Sequence, residues 1–460
     1  MPRSSVSRSP ELVHSVVKAY DVRGVVGDQL DESFVEAVGG AFARLMRSEG
    51  ATRVAVGHDM RPSSPALARA FAGGVTAQGL DVVLIGLAST DQTYFASGLL
   101  SCPAAMFTAS HNPAEYNGVK MCRAEASPVG QQSGLAEIAQ DIVDGVPAFD
   151  GTPGAVSEQS VLDEYAEFLR RAVDLSAMKP LKIAIDAGNG MAGLTAPAVF
   201  DSLPVTVDPL YFELDGTFPN HEANPLDPKN LVDLQQRVRE SGADLGLAFD
   251  GDADRCFFVD ERGEVVSPSA VTACVAQQAL RDEPGATIIY NVITSRAVPE
   301  LVGELGGVPV RTRVGHSFIK QQMAETGAVF GGEHSGHYYF RDFWRADSGM
   351  LAALHVLAAL AAQDRPLSEM MQSFTRYAAS GEINSTVADA AAETEEVVAA
   401  FASRALSTDT LDGVTVDLGD HAWFNLRPSN TEPLLRLNVE ASTRPEVDAL
   451  VAEILGIVRS

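Results

Sequence analysis

Four short stretches carry residue types that can do chemistry. The first is TASHNP, Thr108 to Pro113, directly after the apolar run Ala104 to Phe107. A hydroxyl on a sharp turn after a buried strand is well placed to be a nucleophile, which makes Ser110 a candidate. His111 beside it can orient or activate that hydroxyl. Taken alone, the same string is also an ordinary polar turn with an Asn-Pro stop. YNGVK follows at once and can bring the Lys120 ammonium back towards Ser110.

The second stretch is DGDADR, Asp250 to Arg255. Carboxylates at i, i+2 and i+4 in a turn, Asp250, Asp252 and Asp254, can converge oxygen ligands on a hard divalent cation. The spacing also mimics the start of an EF-hand loop, and Glu261 even falls at its twelfth position. That alternative fails because position six is Arg255, where the sharp turn demands Gly, and because Cys256 to Asp260 alternates like a strand. Arg255 is unexpected in a plain cation cage and sensible if a phosphate bridges metal and guanidinium.

The third is GGEHSGH, Gly331 to His337, where Glu333 and Ser335 can present a carboxylate and a hydroxyl to sugar hydroxyls. The fourth is RPSNTEP, Arg427 to Pro433, followed by Arg436. Its two hydroxyls, amide, backbone N–H groups and two guanidiniums suit a phosphate nest; its plain alternative is a Pro-bounded turn. Together the loops offer a nucleophile, a divalent metal site, a hydroxyl reader and a phosphate clamp. That combination points to phosphoryl transfer.

The elements that must position these loops are legible in outline. RVAVGHDMRPSS from Arg53, KIAIDAGNGMAG from Lys182 and TIIYNVITSRAV from Thr287 each read as a strand, a polar turn and a helix. Further strand-then-turn units start at Asp81, Ala104, Asp244 and Ala328. Strands alternating with helices predict parallel or mixed sheets covered by helices, with ligands at the carboxyl ends of the strands. Joints are expected near Asp150 to Gly154, at a hairpin around Asp260 to Pro268, and at Ala379 to Asn384. The last eighty residues differ: a helix over Ala390 to Arg404, strands, and a closing helix after Pro445. Four domains are expected, at 1–153, 154–259, 260–379 and 380–460.

Composition bounds the answer. The 460 residues carry 61 acidic and 34 basic side chains, a formal charge of −27. That balance excludes a nucleic-acid binder and a basic membrane-surface protein. Apolar residues at 46% and charged residues at 21% exclude wholesale disorder. Cys102, Cys122, Cys256 and Cys274 are scattered without a C-x-x-C and read as reduced, mostly buried thiols. No apolar signal region follows Arg3 and Arg8, and the apolar stretch Met350 to Ala362 is too short to span a bilayer. The expectation is a soluble cytoplasmic protein.

At this point the chain resembles the α-D-phosphohexomutase superfamily, in its bacterial phosphomannomutase/phosphoglucomutase branch. The likeness runs over essentially the whole chain: YDVRG at Tyr20 to Gly24, then TASHNP, DGDADR, GEHSGH and RPSNTEP, in the family's order. It implies an α/β protein, with three related mixed-sheet α/β domains plus a smaller C-terminal α+β domain around a central cleft. It implies that Ser110 carries a phosphoryl group, with Mg²⁺ between that phosphate and Asp250, Asp252 and Asp254. A hexose 1,6-bisphosphate would be intermediate and activator. Lys120 and Arg23 look like the pair flanking the reacting oxygen, with Lys120 or His111 handling the proton. Glu333 and Ser335 would bind the sugar. Arg427, Ser429, Asn430, Thr431 and Arg436 would hold the non-reacting phosphate, while Arg255 and His316 (in VGHS) also touch the ligand. Partners would be small hexose phosphates, with the protein a monomer or dimer.

The match is strained where bacterial relatives place a Lys and this chain has Ile293-Thr294. One contact is therefore expected to be missing or supplied by Arg296 or Lys320. Residues Ala124 to Val129 also look less regular than the family's loop. Asn430 and His334 lean towards mannose or glucose phosphates, since phosphoglucosamine mutases tend to carry Gly and Gln there. Phosphoglucosamine mutase, a non-catalytic phosphosugar-binding protein and a phosphatase stand as alternatives.

Overall fold

The computed structural model describes residues 8–429 and 434–460. They form two compact units, one running to Val266 and adding Ser335–Leu367, the other comprising Ser267–His334 and Ser368–Ser460.

The first unit holds two complete sheets. One orders its strands Val22–Val25, Tyr116–Cys122, Ala104–Phe107, Arg53–His58, Asp81–Leu87 and Val156–Glu158. Ala104–Phe107, Arg53–His58 and Asp81–Leu87 run parallel and are largely buried. Tyr116–Cys122 returns antiparallel to Ala104–Phe107, with Lys120 opposite Met106. That register carries Lys120 back beside the turn that follows Phe107. The first sheet extends past residue 153, since Val156–Glu158 pairs parallel with Asp81–Leu87.

Two helices below this sheet pack unusually close. Glu32–Ser48 starts at Asp31, whose carboxylate accepts the Phe34 N–H at 2.6 Å. It crosses Ser64–Ala77 where a Cβ on Gly74 would lie 2.0 Å from the Glu36 carbonyl oxygen. Only glycine permits that approach.

The second sheet orders Val265–Val266, Cys256–Asp260, Leu245–Phe249, Leu181–Asp186 and Val205–Leu210. Phe249 and Cys256 are antiparallel partners, so DGDADR is the loop that closes their hairpin. The alternation expected over Cys256 to Asp260 is absent; all five residues are buried. The helices Val232–Ser241 and Gly349–Ala361 both pack on this strand and leave no wet face. The apolar stretch from Met350 is that second, buried helix.

One buried carboxylate ties three parts of this unit together. Asp91 accepts from Ser89 Oγ, from Tyr165 OH at 2.6 Å and from Ser348 Oγ at 2.7 Å. Burial pushes its carboxyl up to about 6, against the pull of those donors.

In the second unit, Val308–Thr312, Thr287–Asn291 and Phe330–Gly332 run parallel. A separate antiparallel sheet orders Ala378–Thr386, Leu434–Ala441, Ala422–Pro428, Val414–Gly419 and Ser407–Asp409. Helices Ala390–Phe401 and Arg444–Val458 cover it through Val397, Phe401, Leu450 and Ile454. Two local expectations are corrected here. The first of these helices ends at Phe401, and Ala402 to Arg404 turn away. Ala379 to Asn384, expected as a joint, is not an irregular linker but part of a nine-residue strand. Its Ser-Gly composition marks a bulge between Ala379 and Glu382, with Gly381 at φ 69°.

All four cysteines are free and buried. No helix among the described residues is long and apolar enough to cross a membrane.

Candidate active site

Ser110 sits at φ 50°, in the left-handed region, at the end of the strand Ala104–Phe107. Its N–H donates to Thr108 Oγ1 at 2.9 Å, which fixes the turn. Its hydroxyl donates to Asp250 Oδ2 at 2.8 Å. Arg255 Nη2 donates to the same Ser110 Oγ at 3.2 Å, and His111 Nδ1 lies 3.3 Å from it. Arg255 also contacts His111 Nδ1 directly. The TASHNP and DGDADR loops touch through backbone as well: a Cβ on Gly251 would lie 2.5 Å from the Ser110 carbonyl oxygen.

A residue that sequence reasoning did not single out braces this turn. Arg61 is 1% exposed, and its guanidinium donates to the carbonyls of Ser110 (3.0 Å), Asn112 (2.7 Å), Pro113 (2.7 Å) and Tyr116 (3.0 Å). Asp59 pairs with it at 3.2 Å, and the Phe218 ring lies 5.1 Å from its Cζ. The expected irregularity after Lys120 is also real. Ala124–Ala126 forms a single 3₁₀ turn with Glu125 and Ala126 at positive φ.

The three carboxylates of Asp250, Asp252 and Asp254 gather ligand atoms within 4.8 Å of one another and are 0%, 0% and 1% exposed. Lys120 Nζ bridges Asp252 Oδ2 at 2.7 Å and Asp254 Oδ2 at 2.6 Å, and Arg255 Nε donates to Asp250 Oδ2 at 2.8 Å. The outer oxygens remain: Asp252 Oδ1 and Asp254 Oδ1 are buried and accept no hydrogen bond from the described residues. Hard, anionic, unsatisfied oxygens at this spacing fit a divalent cation. Thr90, also unnoticed in the sequence, holds the loop with its N–H on the Asp252 carbonyl at 2.9 Å and its hydroxyl on Asp252 Oδ2 at 2.6 Å.

Burial dominates the proton affinities here. It pushes the Asp250 carboxyl up to about 7, with Arg255 pulling the other way. Burial works against charge on Asp252 too, but Lys120 outweighs it and holds that carboxyl well below the usual range. By the same pairing the Lys120 ammonium is held above its ordinary value despite burial. His111 is driven well below its ordinary value by burial and by the Arg255 charge, so its imidazole is neutral.

Arg23 reaches the turn through Asn112, donating to its Oδ1 at 2.6 Å, while Asp21 accepts its Nε at 3.1 Å. His337 was visible in GEHSGH but given no task. Its Nδ1 lies 3.0 Å from Asp347 Oδ2 and 3.8 Å from Asp254 Oδ1. Burial opposes its charge, and the two carboxylates overcome that and raise its proton affinity. Ser335 opens the same loop in this unit and is partly buried.

In the second unit, Glu333 Oε1 accepts from Asn291 Nδ2 at 3.1 Å and from the Gly315 N–H at 3.0 Å. His316 follows Gly315 at the start of the helix His316–Thr326. The loops expected to meet the sugar are thus joined by one carboxylate. Arg427 and Arg436 are direct cross-strand partners, and Arg436 Nη2 lies 3.4 Å from Ser429 Oγ. Asn430 and Thr431 lie outside the described residues. Of the two stand-ins expected for the missing Lys, Arg296 is engaged by Asp417 at 2.8 Å and Lys320 is 3% exposed. Ile293 is buried and lines a cavity of about 210 Å³ with Ser269 and His334.

Four family models match along the chain. They are phosphoglucomutase/phosphomannomutase alpha/beta/alpha domain I over residues 14–145, domain II over 163–263, domain III over 267–377, and the C-terminal domain over 382–457. The chain belongs to the phosphoglucomutase/phosphomannomutase family and is an enzyme of the isomerase class, with four α/β domains of which three are related. It is 41% identical to the phosphohexose mutases of Xanthomonas campestris pv. campestris over 428 residues, covering 92% of this chain and 94% of that protein. It is 36% identical to the phosphomannomutase/phosphoglucomutase of Pseudomonas aeruginosa, covering 97% and 96%. The crystal structure of a phosphoglucomutase/phosphomannomutase family protein from Burkholderia thailandensis superimposes with a TM-score of 0.88 at 33% identity, covering 97% of each chain.

Proposed function

We propose that the protein interconverts hexose 1-phosphates and 6-phosphates, of mannose, glucose or both, through a phosphorylated Ser110 and a hexose 1,6-bisphosphate. The observation that carries this reading is the 2.8 Å contact from Ser110 Oγ to Asp250, which joins a strained, buried hydroxyl to a carboxylate triad 140 residues away. A protein that only bound phosphosugars would have no use for that pairing.

In the first half-reaction the phosphoryl group leaves Ser110 Oγ for a free sugar hydroxyl. The P–O bond to serine breaks, a P–O bond to the sugar forms, and the hydroxyl proton passes to a base. His111, neutral and 3.3 Å from Ser110 Oγ, is that base in our reading. The bisphosphate then turns end for end. Its other phosphoryl returns to Ser110, and the proton held by the base passes to the sugar oxygen which that phosphoryl has just left.

Phosphoryl transfer asks mainly for positioning and charge stabilisation. Lys120, Arg255 and Arg23 supply the cations. Asp250, Asp252 and Asp254 would hold Mg²⁺, which supplies further neutralisation of the phosphoryl charge when bound. Glu333, Ser335 and His316 read the sugar, and Arg427, Ser429, Asn430, Thr431 and Arg436 hold the non-reacting phosphate. Hydroxyls and a phosphate are features shared by both orientations of the ligand, which suits an intermediate that must bind either way round.

Intact-mass measurement tests the central step. After priming with a hexose 1,6-bisphosphate, an adduct of about 80 Da, one phosphoryl group, is expected on the protein and absent from Ser110→Ala. No adduct, or near-normal turnover by Ser110→Ala, removes Ser110 from the nucleophile role. Coupled assays with mannose 1-phosphate, glucose 1-phosphate and glucosamine 1-phosphate test the substrate, and dominant turnover of the glucosamine compound would overturn the assignment. The names of the relatives support mannose and glucose.

A further inference from the structure

Arg427 and Arg436 face each other directly across the ladder between Ala422–Pro428 and Leu434–Ala441. Like charges in that position repel, and a structure that keeps them needs an anion nearby. Glu382 supplies it. Its Oε1 accepts from Arg436 Nη1 at 3.0 Å and its Oε2 accepts from Arg427 Nη2 at 3.3 Å. The carboxylate comes from the neighbouring strand Ala378–Thr386, just past its bulge, where Glu382 pairs with Asn438 two residues from Arg436. One carboxylate oxygen per guanidinium is the arrangement a phosphate would adopt with the same two donors.

We propose that Glu382 is a resident anion of the phosphate clamp: it occupies the guanidinium donors until a substrate phosphate displaces it, and so sets how tightly the phosphate is held. The inference rests on the reading of Arg427 and Arg436 as phosphate ligands. Displacement is open to Glu382 because its side chain is 27% exposed, whereas Arg427 is 9% exposed and fixed. With Glu382 in place the group carries one net positive charge. Without it the two guanidiniums would meet a phosphate dianion at full strength. A mutase whose intermediate must let go and turn over gains from an internal competitor that receives the arginines as the phosphate leaves.

The test is Glu382→Gln and Glu382→Asp, read through kcat and KM for glucose 1-phosphate and mannose 1-phosphate and through inhibition by inorganic phosphate. Glu382→Gln should lower both KM and the phosphate inhibition constant about three- to tenfold, in line with removal of one partly exposed charge, and should lower kcat as release slows. Glu382→Asp, which restores the charge, should bring the values back towards those of the unaltered protein. A carboxylate that merely props up the arginines predicts the opposite, a raised KM and weaker phosphate inhibition in Glu382→Gln, and that result would overturn the proposal, as would no change. Arg427→Ala separates the two readings. If it leaves KM and phosphate inhibition unchanged, the clamp itself lies elsewhere; if it weakens both while Glu382→Gln does nothing, only the role of Glu382 fails.

Discussion

Arg61 Nη2 donates to the carbonyl oxygen of Ser110 at 3.0 Å, with both groups buried. The residue that bears the proposed nucleophile is therefore held by its backbone, from behind, while its hydroxyl stays free to face Asp250 and Arg255. The left-handed conformation of Ser110 is costly for a residue with a side chain, and Arg61 adds a second brace to the local one from Thr108.

Replacing Arg61 by Met keeps the bulk and removes the donors from four carbonyls. We expect kcat to fall about 100-fold, the size of effect that misplacing a reacting group produces, with KM little changed. Arg61→Lys should recover only part of the loss, since an ammonium cannot spread its donors as a guanidinium does. Steady-state kinetics check this, alongside a thermal melt to show that the chain still folds. A near-normal kcat for Arg61→Met would show that the turn holds itself.

Gly251→Ala should act on the same contact from the other side. The added methyl would lie 2.5 Å from the Ser110 carbonyl oxygen, so the two loops must part. A drop in kcat of about 10-fold or more is expected, together with weaker Mg²⁺ dependence of activity. An unchanged metal titration with full kcat would mean the loops have slack that the close approach conceals.

How much of this was legible depends on how each residue acts. Ser110, Lys120 and the three aspartates announce themselves by type and spacing, and apolar runs followed by polar turns located the strands that carry them. Arg61, Thr90 and Glu382 stayed hidden because they work through backbone carbonyls or through partners far along the chain. Asp252 lies 162 residues from Thr90. A lone Arg after a strand carries no mark of such a task. The conformation of Ala379 to Asn384 was hidden for a different reason: small, flexible residues serve a bulged strand as well as a linker, and only the ladder to Leu434–Ala441 decides between them.

A pH effect on stability is expected from His221. Its Nε2 lies 2.9 Å from Asp186 Oδ2; burial opposes the imidazolium, but Asp186 outweighs burial and the proton affinity is raised. A raised histidine contributes stability in full below its unfolded value of about 6.5, and that contribution is lost as pH rises through the higher folded value. The melting temperature should therefore fall from pH 6 towards pH 8 by a component that His221→Gln removes. Parallel melting curves for the two proteins over that range would contradict it.

Ionic strength probes the charge balance. An anionic sugar phosphate must approach a chain of formal charge −27 to reach its local cluster of cations. Moderate salt screens that far-field repulsion, so kcat/KM should rise or hold between low and physiological ionic strength. A steep fall in the same range would mean that attraction near the site outweighs the repulsion at long range.

The four buried thiols have a practical consequence. Burial pushes Cys102 up to about 11 and Cys274 up to about 12, and it raises Cys256 as well, so little thiolate is presented to solvent at neutral pH. All four thiols are buried, so slow reaction with alkylating dyes is expected of the folded protein. A single cysteine introduced on an exposed strand or helix should take a fluorophore or spin label well ahead of them, with little background to remove first. Distances between chosen points of the folded protein can then be followed during turnover without rebuilding its core.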